Sequence, residues 1–398
     1  MGAVEKVLDN GLQVIFHKKR QKEVEVKVTV FSGCSDGDNS QMAHFLEHML
    51  FSGSKLFPSF DLMKKELKRL DIGRNGRTSQ ESTTYFFDFK SKRLPDAMKF
   101  IADFMQNPVL NEVDIAREKG ILLNEIAQLG QIPGRACYEE IVNIVHGLAG
   151  KGYSNNNILS DAITATTRED LIKFHEKHYI SNNMLIQIEG NLENPIPEIE
   201  KYFSSMKKGE KKVPLIPKML EVALRKDKKM GLNLAHLNIT FLSPPTRDPD
   251  SIVLRFIKSQ LQDKKTGLMK ILREDKGLVY NVNVTHAFGE NFSMLLITTD
   301  IDKKEAENTI NFIINKVSEI ENIKEKDLEK LKKKHLKYLN KSVKDNDNWW
   351  FQRKLLQIAC NMPEPEKQLE QAIKSATTEQ IKVVVNKYLK TPIVVVAE

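Results

Sequence analysis

The chain repeats one of its own segments about half a chain-length later, and that repeat limits the folds open to it. Ala165-Thr166-Thr167-Arg168-Glu169-Asp170-Leu171 recurs as Ala376-Thr377-Thr378-Glu379-Gln380-Ile381. In each copy a threonine stands three residues before a glutamate or glutamine, Thr166 before Glu169 and Thr377 before Gln380. This is the reciprocal capping pattern that opens helices. Each predicted helix ends at a tyrosine, Tyr179 or Tyr388, and an apolar strand follows: Met184-Leu185-Ile186-Gln187-Ile188 in one copy, Ile393-Val394-Val395-Val396 in the other. Solenoid repeats recur every ~20–50 residues. A single recurrence at half the chain means two duplicated domains.

At 398 residues the chain exceeds what one hydrophobic core usually serves and suits two. Between the copies, Ser204-Ser205-Met206-Lys207-Lys208-Gly209-Glu210-Lys211-Lys212-Val213-Pro214 reads as a solvated linker. The expected division is a first domain over 1–203, a linker over 204–218 and a homologous second domain over 219–398. Alternation of apolar and polar residues in Glu23-Val24-Glu25-Val26-Lys27-Val28-Thr29-Val30 and in Ala235-His236-Leu237-Asn238-Ile239-Thr240-Phe241 predicts half-buried strands, with helical stretches between. The fold class expected is α+β, each domain a mainly antiparallel sheet with helices packed on one face.

The chemistry concentrates in His44-Phe45-Leu46-Glu47-His48. On a helix the two histidines lie one turn apart on one face, with Glu47 beside them. Two imidazoles converging on one ion, with a carboxylate in reach of water, are the minimum equipment for metal-assisted hydrolysis. The order H-x-x-E-H inverts the usual zinc-protease signature. The competing reading is an amphipathic helix that happens to carry two histidines. Ala43, Phe45, Leu46, Met49, Leu50 and Phe51 make this helix apolar almost all round, so it should be buried. Burying two imidazoles and a carboxylate without partners is costly, and a metal removes that cost.

Zinc needs a third protein ligand. Downstream, Ile115-Ala116-Arg117-Glu118-Lys119-Gly120-Ile121-Leu122-Leu123-Asn124-Glu125-Ile126-Ala127-Gln128-Leu129 reads as a helix. Glu118 and Glu125, seven apart, share a stripe with Ile121, Leu122 and Leu129. A lone Glu118 is more often a surface side chain with a buried stem. Once the histidines are admitted, Glu125 is the better third ligand, and Glu118 a group that orients a ligand.

On these residues the chain resembles the pitrilysin, insulin-degrading enzyme and mitochondrial processing peptidase family of zinc endopeptidases, over nearly its whole length. That family places a glutamate ligand just under eighty residues after its inverted motif, with another functional glutamate seven positions earlier. Here His48 and Glu125 are 77 positions apart, and Glu118 precedes Glu125 by seven. Leu8-Asp9-Asn10-Gly11-Leu12 matches the family's opening strand, and Asn75-Gly76-Arg77-Thr78-Ser79-Gln80-Glu81-Ser82-Thr83-Thr84-Tyr85 resembles its active-site edge strand. The usual Asn-Ala step is Asn-Gly here, and Asp38-Asn39-Ser40-Gln41-Met42 replaces a glycine-rich approach to the motif.

The resemblance implies a zinc-dependent endopeptidase with one Zn2+ per chain, held by His44, His48 and Glu125, with Glu118 behind them and Glu47 as general base. It implies that Asn75, Gly76 and Thr78 meet a peptide substrate at the strand edge. It also implies that Arg273 and Tyr280, seven apart in Leu268-Met269-Lys270-Ile271-Leu272-Arg273-Glu274-Asp275-Lys276-Gly277-Leu278-Val279-Tyr280, contact the substrate and help hold the oxyanion. That segment reads as a helix, a glycine turn and a strand. In the family such a pair reaches a zinc site in the opposite half of a four-domain clamshell. A chain with two domains and both motifs is therefore expected to form a homodimer. Some family members are non-catalytic peptide-binding or scaffold subunits that have lost a ligand. This chain keeps every ligand, which puts the peptidase reading first.

Composition narrows the alternatives. The net charge of +8 could indicate a nucleic-acid partner, but the lysines alternate with acids, as in Lys324-Glu325-Lys326-Asp327-Leu328-Glu329-Lys330, the pattern of a solvated helix. No basic arm or zinc finger accompanies it, so no nucleic-acid partner is expected. No apolar run reaches transmembrane length, so no membrane is expected either. Cys34, Cys137 and Cys360 are widely spaced, which excludes a disulfide framework and fits a reducing, cytoplasmic setting. His175 and His178 stand at a helix C-terminus, where histidines cap more often than they ligate, and Trp349-Trp350-Phe351 reads as core or interface.

Overall fold

A computed structural model describes all residues except 1–3, 37–39, 150–155, 211–216, 288, 290, 346–352, 354–355, 358–361 and 363. Asp38, Asn39, Trp349, Trp350, Phe351, Cys360 and part of the expected linker lie outside the described residues. The chain divides into two compact units: Met1–Ala127 with Ser154–Val213, and Gln128–Tyr153 with Pro214–Glu398.

The first unit carries strands β1 (Val4–Val7), β2 (Gln13–Lys18), β3 (Glu23–Val30), β4 (Gly73–Thr78), β5 (Thr83–Lys90) and β6 (Met184–Gly190) in one sheet of order β1-β2-β6-β3-β5-β4. Only β2 and β6 run parallel. Helices α1 (Met42–Leu50), α2 (Phe60–Leu70), α3 (Leu94–Gln106), α4 (Glu112–Leu129), α6 (Asn156–Ala165), α7 (Arg168–His178) and α8 (Ile196–Phe203) accompany it, and α5 (Pro133–Leu148) falls between α4 and α6 in the chain. The second unit carries β7 (Leu224–Lys228), β8 (Ala235–Ser243), β9 (Val282–Ala287), β10 (Ser293–Ile301) and β11 (Ile393–Ala397), ordered β7-β11-β8-β10-β9. Its later helices are α9 (Ser251–Leu261), α10 (Ala306–Glu319), α11 (Glu325–Asp345), α12 (Pro365–Ser375) and α13 (Thr378–Tyr388).

The two sheets share one plan. Strands β2-β6-β3-β5-β4 and β7-β11-β8-β10-β9 each open on a parallel pair and continue antiparallel. This is the mixed α+β duplication expected from the repeat. The repeat aligns one residue away from the sequence reading, however. Thr167, not Thr166, caps α7, with Asp170 closing the capping box, while Thr377 caps α13 by accepting from the Gln380 amide. The apolar residue four positions on, Leu171 or Ile381, is fully buried in each helix, and that burial fixes which threonine can sit at the cap. Thr166 instead donates to the Ala162 carbonyl. The segment 8–12, expected as a strand, is the turn between β1 and β2, with Gly11 at φ +86. That left-handed conformation strains any residue with a Cβ.

One segment departs from the expected division. Residues 128–153 cluster with the second unit rather than with the half of the sequence they belong to. The cause is α5. Its Cys137, Ile141, Ile144 and Val145 pack with Leu242, Met294, Leu296, Ile393 and Val395. The alternate residues of the same strands, Phe241, Leu295, Ile297, Val394 and Val396, belong to the core on the other face. Side chains of successive strand residues point to opposite faces, so the second sheet is covered on both. Helices on one face alone therefore do not describe this unit, and β8 and β11 are buried almost throughout rather than half-buried.

Candidate active site

Helix α1 is seated by its apolar residues. Phe45, Leu46, Met49 and Leu50 are fully buried in the first core, and each such side chain contributes about 1.5–3 kcal/mol on burial. That gain offsets the cost of carrying polar groups on the same helix, and it fixes where His44, Glu47 and His48 stand. Glu47 is buried, and both histidines are partly exposed. His44 Nδ1 lies 3.3 Å from Gln41 Oε1, and His48 Nδ1 lies 3.2 Å from Glu118 Oε2. Each contact occupies one ring nitrogen and leaves Nε2 facing the common centre.

Helix α4 brings the acids. Its buried stripe is Ile115, Glu118, Leu122 and Ile126, and Glu125 stands at the stripe's border. Ile121 does not join it and is 44% exposed. One residue from Leu122 is about 100° around a helix, so a stripe centred on Leu122 turns Ile121 outward. Glu118 is buried, so it is no stem-buried surface glutamate. Arg117 reaches it at 3.2 Å and also pairs with Asp114 at 2.6 Å. Burial pushes the Glu118 carboxyl up, but its bonds with His48 and Arg117 outweigh this and hold it below the ordinary value. For His48, burial pulls the imidazole down, and the bond to Glu118 with the charges of Glu47 and Glu125 leaves it above the ordinary value.

His44, His48 and Glu125 each offer one ligand atom, and these atoms lie within 4.8 Å of one another. Among the described residues they are the one such group of histidine, cysteine or acidic side chains. Glu125 Oε2 is 3.8 Å from His44 Nε2 and 3.7 Å from His48 Nε2. A tetrahedral zinc with bonds of about 2.0–2.2 Å spaces its ligand atoms about 3.3–3.6 Å apart. The donor set fits zinc: the two Glu125 spacings need to close by a few tenths of an ångström, and the two histidines, within 4.8 Å of each other, by up to about an ångström.

Strand β4, the outermost of its sheet, runs past this centre. Thr78 Oγ1 donates to Glu47 Oε2 at 2.5 Å, so its hydroxyl is spent on orienting Glu47 rather than offered to a substrate. Burial pushes the Glu47 carboxyl above its ordinary value, with the Thr78 bond pulling the other way. Asn75 is exposed, and its Oδ1 accepts from the Gly76 amide at 2.9 Å. A Cβ on Gly76 would lie 2.3 Å from Glu47 Oε1, which gives the Asn-Gly step a local reason. Cδ and Cγ of the same buried side chain would lie within 2.8 and 3.0 Å as well, so Gly76→Ala should lower the melting temperature somewhat and re-aim the carboxylate. We expect peptide turnover to fall about 10–100-fold at unchanged zinc content. Turnover at the wild-type rate in Gly76→Ala would show that the Glu47 placement does not matter.

Arg273 and Tyr280 belong to the second unit. The expected helix around Arg273 is a six-residue π-helix, Lys270–Asp275, followed by Gly277 at φ +64, and β9 begins only at Val282. Tyr280 is 82% exposed, and the Arg273 guanidinium lies 4.7 Å from its ring centroid. The pair is thus brought together, and the ring is not the core tyrosine that its neighbours in sequence allow. Gln41 and Arg74 were assigned no place at this site from the sequence, and Thr78 was assigned to substrate rather than to Glu47. Gln41 and the Thr78–Glu47 bond carried no signal, because both depend on tertiary approach. Arg74 did carry one, since residues 74, 76 and 78 of a strand share a face.

The chain resembles known proteins over much of its length. Residues 13–147 match the family model for insulinase (peptidase family M16), and residues 165–334 match that for the peptidase M16 inactive domain. Together the two models span more than half of the chain. The beta subunit of the mitochondrial-processing peptidase of Rattus norvegicus is 28% identical over 259 residues, 62% of this chain and 51% of that protein. An uncharacterized zinc protease of Rickettsia bellii (strain RML369-C) is 31% identical over 211 residues, 51% of this chain and 50% of the relative. The matches thus span about half the length of these relatives. The crystal structure of a protease from Helicobacter pylori superposes with a TM-score of 0.81 at 19% identity, covering 100% of this chain and 99% of that one, which establishes likeness of fold.

Proposed function

The chain belongs to peptidase family M16, and from that premise we propose that it is a zinc-dependent endopeptidase acting on peptides and unstructured protein segments. The observation that carries the reading is the convergence of His44, His48 and Glu125 within 4.8 Å, with buried Glu47 on the same helix as the two histidines. Zinc held by those three side chains would polarise a peptide carbonyl and acidify a water molecule. Glu118 holds His48 through Nδ1 and so keeps Nε2 turned to the metal position. Glu47, aimed by Thr78, takes the proton of the attacking water and returns one to the leaving amine. The outer edge of β4 accepts the substrate backbone as an added strand, a mode open to extended chains and closed to folded ones. Among the described residues no helix is long and apolar enough to cross a membrane.

Arg273 and Tyr280 complete the proposal. Tyr280 is exposed and free to meet a substrate, and we assign the pair to substrate binding and to support of the developing oxyanion across a homodimer. Zinc content, cleavage of an unstructured peptide and mass in solution, measured on one preparation, test these points together. We expect about one zinc per chain, hydrolysis lost on chelation and restored by zinc, and the mass of two chains. Zinc and peptide binding with no cleavage would install the non-catalytic peptide-binding or scaffold reading instead. Full activity at the mass of one chain would remove the dimer.

A further inference from the structure

Beside Glu47 lies a pocket of about 340 Å³, lined by Phe51, Phe60, Arg74, Ser52, Glu118 and His48 among others. A volume of this size lies at the small end of ligand pockets and has room for an amino-acid side chain. Two of its lining residues, Phe51 and Phe60, are aromatic. Its one cationic side chain is Arg74, whose guanidinium lies 5.0 Å from the Phe51 ring centroid. Such stacking holds the planar fork in place and leaves its edge to bind.

Arg74 has no acidic partner among the described residues, and its Nε is buried without a hydrogen bond. Burial alone accounts for the lowering of its proton affinity, with no acid acting against it. The two acids on the pocket wall are already engaged, Glu118 by His48 and Arg117, and Glu47 by Thr78. A half-buried guanidinium facing an open pocket is a site for an anion, and a planar carboxylate matches its fork. We propose that Arg74 selects substrates carrying an aspartate or glutamate beside the scissile bond, whose side-chain carboxylate it binds in this pocket while the stem lies on Phe51 and Phe60. This deepens the peptidase reading and rests on it.

The test uses capped, amidated peptides identical except at the residues flanking the cleaved bond, which are alanine, leucine, glutamate or lysine in turn. Wild type, Arg74→Leu and Arg74→Glu are compared by kcat/KM, and by peptide affinity from fluorescence anisotropy in a Glu47→Gln background. The expected result is a preference of about tenfold or more for glutamate over leucine at one flanking position, the scale of a charge-assisted hydrogen bond. It should vanish in Arg74→Leu and turn toward lysine in Arg74→Glu. Arg74→Leu keeps an apolar body over Phe51, so it reports even if Arg74→Glu does not fold. An unchanged preference in Arg74→Leu, or none in wild type, overturns the proposal. So does a gain confined to a companion set with a free α-carboxylate in place of the side-chain acid. If wild type cleaves no peptide, the peptidase reading fails, and the affinities still decide for or against Arg74.

Discussion

Glu47→Gln lowers peptide hydrolysis by about 10²–10⁴-fold, the range a positioned acid–base group supplies, while the protein keeps its zinc. The separation of the two effects follows from the geometry. The three side chains that converge are His44, His48 and Glu125, so an amide at position 47 leaves the donor set intact. The amide oxygen still accepts from Thr78, so the side chain stays where the carboxylate was. Burial already disfavours the Glu47 charge, so a neutral isostere should not lower the melting temperature. What disappears is the ability to take a proton from water. Zinc analysis, a melting curve and kcat/KM on the same sample check all three parts. A variant that holds zinc and cleaves at the wild-type rate removes Glu47 from the mechanism.

His48→Ala gives the opposite signature, losing metal and activity together. Two donors, His44 and Glu125, remain, one short of the three protein ligands a zinc centre needs. Losing an outer partner of a ligand typically costs about 10–100-fold in metal affinity. Losing the ligand itself should exceed about 10²-fold, enough to leave the isolated protein without zinc. Stability falls too. Buried Glu118 loses one hydrogen bond, a change worth about 1–3 kcal/mol, placed at the lower end because Arg117 still reaches the same carboxylate. Zinc titration followed by calorimetry, with a melting curve, measures both. Normal zinc affinity in this variant would require a different donor set.

The parts of the molecule that follow from chain-local periodicity were legible. Strand β3 spans Glu23–Val30, the segment its alternation marks, and α1 is buried as its all-round apolarity requires. The i,i+4 histidines and the i,i+7 glutamates needed only helical geometry to be placed on their faces. Contacts fixed by tertiary approach were not legible. Residue types do not announce that Thr78 aims Glu47 or that Gly76 leaves room for a carboxylate, whereas Glu118 was read as orienting a ligand and only its choice of His48 was hidden. The one-residue slip in the repeat has the same origin. Thr166 and Thr167 are equally good caps locally, and the burial of Leu171 decides between them. The seat of α5 was hidden most fully, since its sequence lies in one half and its packing in the other.

That last arrangement bears on descent. If the two halves arose by copying one ancestral segment, the copies could once have been exchanged at the stretch between them. With Cys137, Ile141 and Val145 roofing β8, β10 and β11, a crossover at 204–218 now strips one recipient of its roof and hands the other a roof with no house beneath it.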